Sequence, residues 1–162
     1  MIIQIDGDIT KVKTKYIAHQ CNCISQKASG LAKTLFEVFP WCNIYSERVP
    51  INHRDFHPDC PGAISVHGNG KNQRYIINML GQLWPGRPKY PRDKIDGYKA
   101  REEYFKQCIK EITKIENLES IAFPVNIGCG FAGGNWTIYK KSIETFAKVR
   151  SDVEVVLINF KE

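Results

Sequence analysis

The stretch Ile121-Ala-Phe-Pro-Val-Asn-Ile-Gly-Cys-Gly-Phe-Ala-Gly-Gly-Asn-Trp136 decides how the chain is read. Ser120 to Val125 is an apolar run of strand length. It enters Gly128, Gly130, Gly133 and Gly134, after which Trp136, Tyr139, Ile143 and Phe146 recur at helical spacing. Strand, glycine loop and helix form a unit that suits a diphosphate. Glycine lets backbone N–H groups approach a phosphate, and the helix N-terminus adds uncapped donors and a positive dipole end. Asn135 stands where it either caps that helix or faces the ligand. Gly128-x-Gly130-x-x-Gly133 also spells the dinucleotide fingerprint, which wants an acidic residue at the end of the following strand. That strand ends in Asn159-Phe160, so a Rossmann domain is not expected.

The same pattern occurs earlier, in Ile17-Ala-His-Gln-Cys-Asn-Cys-Ile-Ser-Gln-Lys-Ala-Ser-Gly-Leu-Ala32. A strand (Tyr16 to Cys21) feeds a small-residue loop, Asn22 to Ser29. A helix with Leu31, Leu35 and Phe39 in register follows. Two such loops at one sheet edge would grip a ligand from both sides. Further strands are expected at Met1 to Asp6, Ala63 to His67, Arg74 to Leu80 and Val153 to Phe160. A short helix is expected at Trp41 to Arg48 and the longest at Tyr98 to Ile115. Gly68 to Asn72 reads as a hairpin turn and Gly81 to Asp96 as a long loop. Helices between strands, with one hairpin, predict an α/β fold: a three-layer α/β/α sandwich around a mixed central sheet.

Composition agrees with one soluble domain, residues 1–162. Hydrophobic residues make up 43% and charged residues 25% of the 162. No apolar run is long enough to cross a membrane, and the N-terminus lacks the features of a signal peptide, so a cytoplasmic, intracellular protein is expected. The six cysteines are then expected as reduced thiols. A net charge of +6 favours an anionic partner, or is ordinary solubility charge.

Taken in order, Gly7-Asp8-Ile9-Thr10, His19-x-Cys21-Asn22-Cys23, Ser29-Gly30-Leu31-Ala32 and Ile127 to Trp136 resemble the macro domain, the ADP-ribose-binding module. Pro61-Gly62-Ala63 and Asn78 to Gln82 add to the likeness, which spans essentially the whole chain. It is nearest to the small stand-alone branch that includes ADP-ribose 1″-phosphate phosphatases. The resemblance implies that Asp8 and Ile9 meet adenine and that Asn22 meets the distal ribose. It puts Ser29, Gly30 and Leu31 in one phosphate loop. The other would hold Ile127, Gly128, Cys129, Gly130, Phe131, Ala132 and Gly133, with Phe131 against the distal ribose. It implies a monomer that hydrolyses an ADP-ribose derivative, most directly ADP-ribose 1″-phosphate, without a cofactor. The alternatives are a non-catalytic reader of ADP-ribosylated protein or nucleic acid, and a hydrolase that removes ADP-ribose from either.

The chemistry departs from the family pattern. The branch that releases ADP-ribose from glutamate uses a Lys after the fourth strand and an Asp in the second loop. Gln82 and Ala132 stand at those places, and Asn135 stands where an Asp is frequent. The catalytic candidates are therefore His19, Asn22 and Asn135. His19 either handles a proton, as its titration near neutrality allows, or is a strand histidine satisfied inside the sheet. His53-x3-His57-x2-Cys60 and His19-x-Cys21-x-Cys23 have metal-ligand spacing. The first lacks a fourth ligand and the second lies on a sheet face where cysteine packs as a small apolar group, so no metal is expected. Trp84, Tyr90 and Tyr98, close to Arg87, Lys89 and Arg92, suit base stacking, a lid over a nucleotide, or loop anchoring.

Overall fold

A computed structural model describes residues 2–161. Its sheet has six strands: β1 (Ile2–Gly7), β2 (Tyr16–Asn22), β3 (Ile64–His67), β4 (Tyr75–Gln82), β5 (Ser120–Pro124) and β6 (Glu154–Phe160). Their spatial order is β1-β6-β5-β2-β4-β3. All pairings are parallel except β3 with β4, the expected hairpin. Met1, the first residue of the strand expected from the sequence, lies outside the described residues.

Helix α1 (Gly30–Val38) packs Leu35 and Phe36 on one sheet face, against Ile17, Cys21, Ile76 and Val156. Helices α2 (Tyr98–Thr113) and α3 (Trp136–Val149) cover the other face, where Phe105, Ile112, Tyr139 and Ile143 meet Ala18, Ile77 and Ile121. The three-layer sandwich is thus observed. With helices on both faces, the central strands read as continuous apolar runs rather than alternating ones. Val155 to Ile158 of β6 are all buried.

Two expectations change. Trp41 to Arg48 is not a helix but two 3₁₀ turns, Pro40–Cys42 and Tyr45–Glu47. Pro40 ends α1, and the Asn43 Oδ1 accepts the N–H groups of Tyr45 (3.1 Å) and Ser46 (3.3 Å), which competes with an i→i+4 ladder. Strand β4 runs on through Gly81 and Gln82, so the long loop begins at Leu83.

That loop is tied down by a buried ion pair. Arg101, on the inner face of α2, is 2% exposed and Asp96 is 5% exposed. Their closest approach is 2.7 Å. Asp96 also accepts the N–H groups of Leu83 (2.7 Å) and Trp84 (3.2 Å). Removing one member of such a pair leaves the other charge buried and unmatched. Asp96→Ala is therefore expected to cost about 3–5 kcal/mol of unfolding free energy in urea titrations. Asp96→Asn keeps an oxygen for only one of the two N–H groups and sets its NH₂ against the other, so it should recover only part of that loss.

Candidate functional site

The ladder between β2 and β5 is short. It holds Tyr16↔Ile121 and Ile17↔Ala122 and stops there, although β2 continues to Asn22 and β5 to Pro124. The chain after β2 turns to α1 on one face, and the chain after β5 turns to α3 on the other. Neighbouring parallel strands whose helices leave in opposite directions open a crevice at their carboxyl ends. A cleft of about 340 Å³ occupies it, a usual size for a small-molecule site.

Both small-residue loops wall this cleft. Asn22, Ser29, Gly30 and Leu31 line one side, and Ile127, Gly128, Gly130, Phe131 and Ala132 the other, with His19 on the floor. Phe131 is 79% exposed and reaches across: a Cβ on Gly30 would come within 3.2 Å of its ring. In the second loop, the N–H groups of Cys129, Gly133 and Gly134 bond to carbonyls of the loop itself. Those of Gly128, Gly130, Phe131 and Ala132 have no acceptor among the described residues. No side chain caps α1, so its first N–H groups are open too. Among the described residues the cleft lining contains no carboxylate, and Lys27 is its permanently charged side chain. It is a concave surface of N–H donors, suited to an anion.

Five predicted site residues lie outside this lining. Asn135 is the N-cap of α3, its Oδ1 accepting the Thr137 N–H at 3.0 Å. The donors expected from that helix are thereby partly used, and α1 supplies the open helix end instead. Cys129 turns its thiol to the Ile127 carbonyl (3.3 Å), and Gly133 lies under Arg87. Asp8 and Ile9 follow β1 at the same sheet edge, but Ile9 is buried in the α1-side core. Asp8 caps the 3₁₀ turn Ile9–Lys11, its Oδ1 accepting from the Thr10 hydroxyl (2.7 Å) and N–H (2.9 Å). These bonds, the hydroxyl's first, hold its carboxyl below the usual range. Asp8 lines a separate groove along β1 and β6, and its other oxygen has no hydrogen bond among the described residues. Phe160, paired in register with Gly7, is 69% exposed one residue from Asp8. Only its place at a strand end hinted at it in the sequence.

The floor is polar and closely bonded. Asn22 spends its Oδ1 on the N–H groups of Ile24 (3.0 Å) and Ser25 (2.8 Å), leaving its NH₂ for a ligand. The Tyr45 hydroxyl accepts the Asn22 N–H at 2.8 Å. Arg48 donates to the carbonyls of Asn22 (2.8 Å) and Ser25 (2.9 Å) and stacks over the Tyr45 ring. These two residues brace the first loop, and no sequence pattern announced them. His19 is 1% exposed. Asn78 donates its amide to the Cys42 carbonyl, so its Oδ1 faces His19 Nε2 at 2.5 Å and that nitrogen carries the proton. Burial pulls the His19 pKa down to about 4, with the Asn78 bond opposing. This geometry favours the second reading of His19, a sheet histidine whose hydrogen bonds are met inside the fold. Its neighbour Cys21 has its thiol pushed up by burial. Of the other metal-spaced group, His53, His57 and Cys60 are all exposed, and His53 Nδ1 accepts the Asp55 N–H.

The three-dimensional arrangement matches solved macro domains. The macrodomain of Mycobacterium tuberculosis DarG aligns with a TM-score of 0.72 at 17% identity, covering 98% of this chain and 97% of that one. The chain has the macro domain fold. A Trypanosoma brucei macrodomain in complex with ADP-ribose shares this fold at a TM-score of 0.61 and 15% identity, covering 99% of this chain and 64% of that one. In sequence, the chain is 27% identical over 169 residues to an uncharacterized 17.5 kDa protein of the tk-vs intergenic region of Enterobacteria phage T4. That match covers 99% of this chain and 98% of the phage protein. No family model matches the chain. Among the described residues of this macro domain fold, no helix is long and apolar enough to cross a membrane.

The neutral His19 makes stability depend on pH. In the unfolded chain an imidazole titrates near pH 6.5, and in the fold His19 resists protonation down to about 4. Between those values the unfolded chain binds a proton that the fold refuses. Stability should therefore fall as pH drops from about 6.5 to about 4, by about 3 kcal/mol in all, and this group should have no effect above that window. Denaturant melts at pH 7, 5.5 and 4.5 should show the slope, and His19→Asn should flatten it.

Proposed function

We propose that this chain binds ADP-ribose in the cleft between β2 and β5. One observation carries the reading: two loops face each other across the parted strands with uncommitted N–H donors and no carboxylate between them. A diphosphate would sit on those donors. The Asn22 amide and the Phe131 ring would meet the distal ribose. The adenosine end would run towards the free oxygen of Asp8, with the exposed ring of Phe160 beside it as a stacking surface. The Trypanosoma macrodomain with ADP-ribose supports the assignment by its likeness of fold.

Recognition without turnover is the form of this reading that the side chains favour. General acid–base catalysis wants a group whose pKa lies near the working pH. His19 titrates well below neutrality, while burial drives the Cys21 and Tyr45 groups upward. Hydrolysis of ADP-ribose 1″-phosphate is the second reading, and the meeting of His19 and Asn22 in the same cleft favours it. ADP-ribosylated protein or nucleic acid would be the partner of a reader, and a monomer suffices for either reading.

Gly130 provides the test. A Cβ built there meets nothing within 4 Å, so Gly130→Glu should fold. It should weaken ADP-ribose at least about 100-fold in calorimetry, through like-charge repulsion and the blocked cradle. Unchanged affinity in a natively folded variant would remove the diphosphate from this loop. Phosphate release from ADP-ribose 1″-phosphate by the wild type, abolished in the same variant, would replace the reader with the enzyme.

A further inference from the structure

A file of hydrogen bonds runs from α2 to the glycine loop beneath the cleft. Arg101 donates to the carbonyls of Gly86 (2.5 Å) and Trp84 (3.2 Å). Gln82 turns its Nε2 to the same two oxygens, at 2.8 Å from Trp84 and 3.4 Å from Gly86. Carbonyls only accept, so Gln82 must present its NH₂ to them and its Oε1 away from them. That Oε1 accepts from Gln20 Nε2 at 2.6 Å. Gln20 is oriented in its turn: reversing its amide would set two acceptors face to face.

The last group in this file is Gln20 Oε1. It is wedged between Gly81 and Gly128, where a Cβ on either glycine would lie 2.5 or 2.7 Å from it. Among the described residues it is the buried side-chain oxygen or nitrogen with no hydrogen-bond partner. A buried acceptor without a donor is costly, and the rest of the molecule avoids that cost. The surrounding loops offer an anion N–H donors, whereas this group can only accept. A phosphate oxygen would be repelled here and a hydroxyl would be held.

We propose that Gln20 is a specificity-determining residue, its carboxamide oxygen accepting a hydrogen bond from a sugar hydroxyl next to the bound diphosphate. The proposal rests on the ADP-ribose reading and adds what that reading lacks, a reason to prefer a free distal ribose to a bare diphosphate. The roof over the oxygen is Gly128, part of the loop that the diphosphate engages. Gln20 itself lines the cleft that the ligand would occupy.

Calorimetry with ADP-ribose and with ADP, which lacks the distal ribose, tests this on the wild type, Gln20→Met and Gln82→Leu. The wild type should prefer ADP-ribose. Gln20→Met should lose about 3- to 10-fold of that preference, the scale of one hydrogen bond, with ADP affinity unchanged. Gln82→Leu frees the Gln20 amide to turn and should lose preference likewise, which keeps the test open if Gln20→Met folds poorly. A preference that survives in both variants, with only the melting temperature lowered, makes the oxygen a hydrated core group and overturns the proposal. So does a wild type that binds both ligands equally. A wild type that binds neither overturns the ADP-ribose reading as well, before any variant is compared.

Discussion

The ladder between β2 and β5 ends after two residue pairs, at Ile17↔Ala122, and the site follows from that early ending. Each strand must deliver its chain to a helix, and the two helices pack on opposite faces of the sheet. The strands therefore part before they end. What fills the gap is loop backbone, because a side chain large enough to fill it would have to come from a strand already committed to a core. Gly128 shows how tight the floor is. Its φ is +73°, and a Cβ would stand 2.6 Å from the Tyr139 ring and 2.7 Å from Gln20 Oε1. The loop can lie low over the parted strands only because that residue has no side chain.

Parting two central strands also exposes polar needs inside an apolar sandwich, and the fold meets them with long-range bonds. Arg101 and Asp96 anchor the loop after β4, Arg48 and Tyr45 brace the loop after β2, and Asn78 couples His19 to the Cys42 carbonyl. The Tyr45 and Arg48 bonds take up backbone groups of β2 itself, the N–H and the carbonyl of Asn22. Half-met polar networks of this kind would be worse than an apolar core. Among the described residues, the buried side-chain nitrogens and oxygens all have partners except Gln20 Oε1.

These dependencies separate what was legible in the sequence from what was not. Local signals were read well: the apolar faces of α1 and α3, the Gly68 to Asn72 turn, and the glycine loop. Apolar periodicity and turn chemistry act over a few residues. The short helix expected at Trp41 to Arg48 was misread because the side chain of Asn43 competes with a helical ladder there. Within the candidate site, the residues flanking the two loops were legible because loop composition is local. Tyr45, Arg48 and Arg101 were not, since each acts on a segment 15 to 26 positions away through contacts that only the fold creates. Gln20 left a trace that went unused: a polar side chain in the middle of an apolar strand. Asp8 was the opposite case, a residue given a role by resemblance that the cleft lining does not include.

The electrostatics of the cleft bear on reaction as well as on binding. Donor N–H groups stabilise negative charge whether it sits on a bound diphosphate or develops in a transition state, and uniform stabilisation of both lowers no barrier. Acceleration needs a group that interacts more strongly with the transition state, and acid–base chemistry contributes about 10²- to 10⁴-fold where such a group exists. At neutral pH His19 offers one lone pair, on Nδ1, with a low affinity for a proton. The arrangement that makes this histidine a good structural member of β2, buried and bonded to Asn78, is what makes it a weak base. Turnover in this cleft would therefore need more than a proton taken up by His19 at neutral pH. Of the titratable groups that line the cleft, His19 and Tyr45 are committed to hydrogen bonds inside the fold.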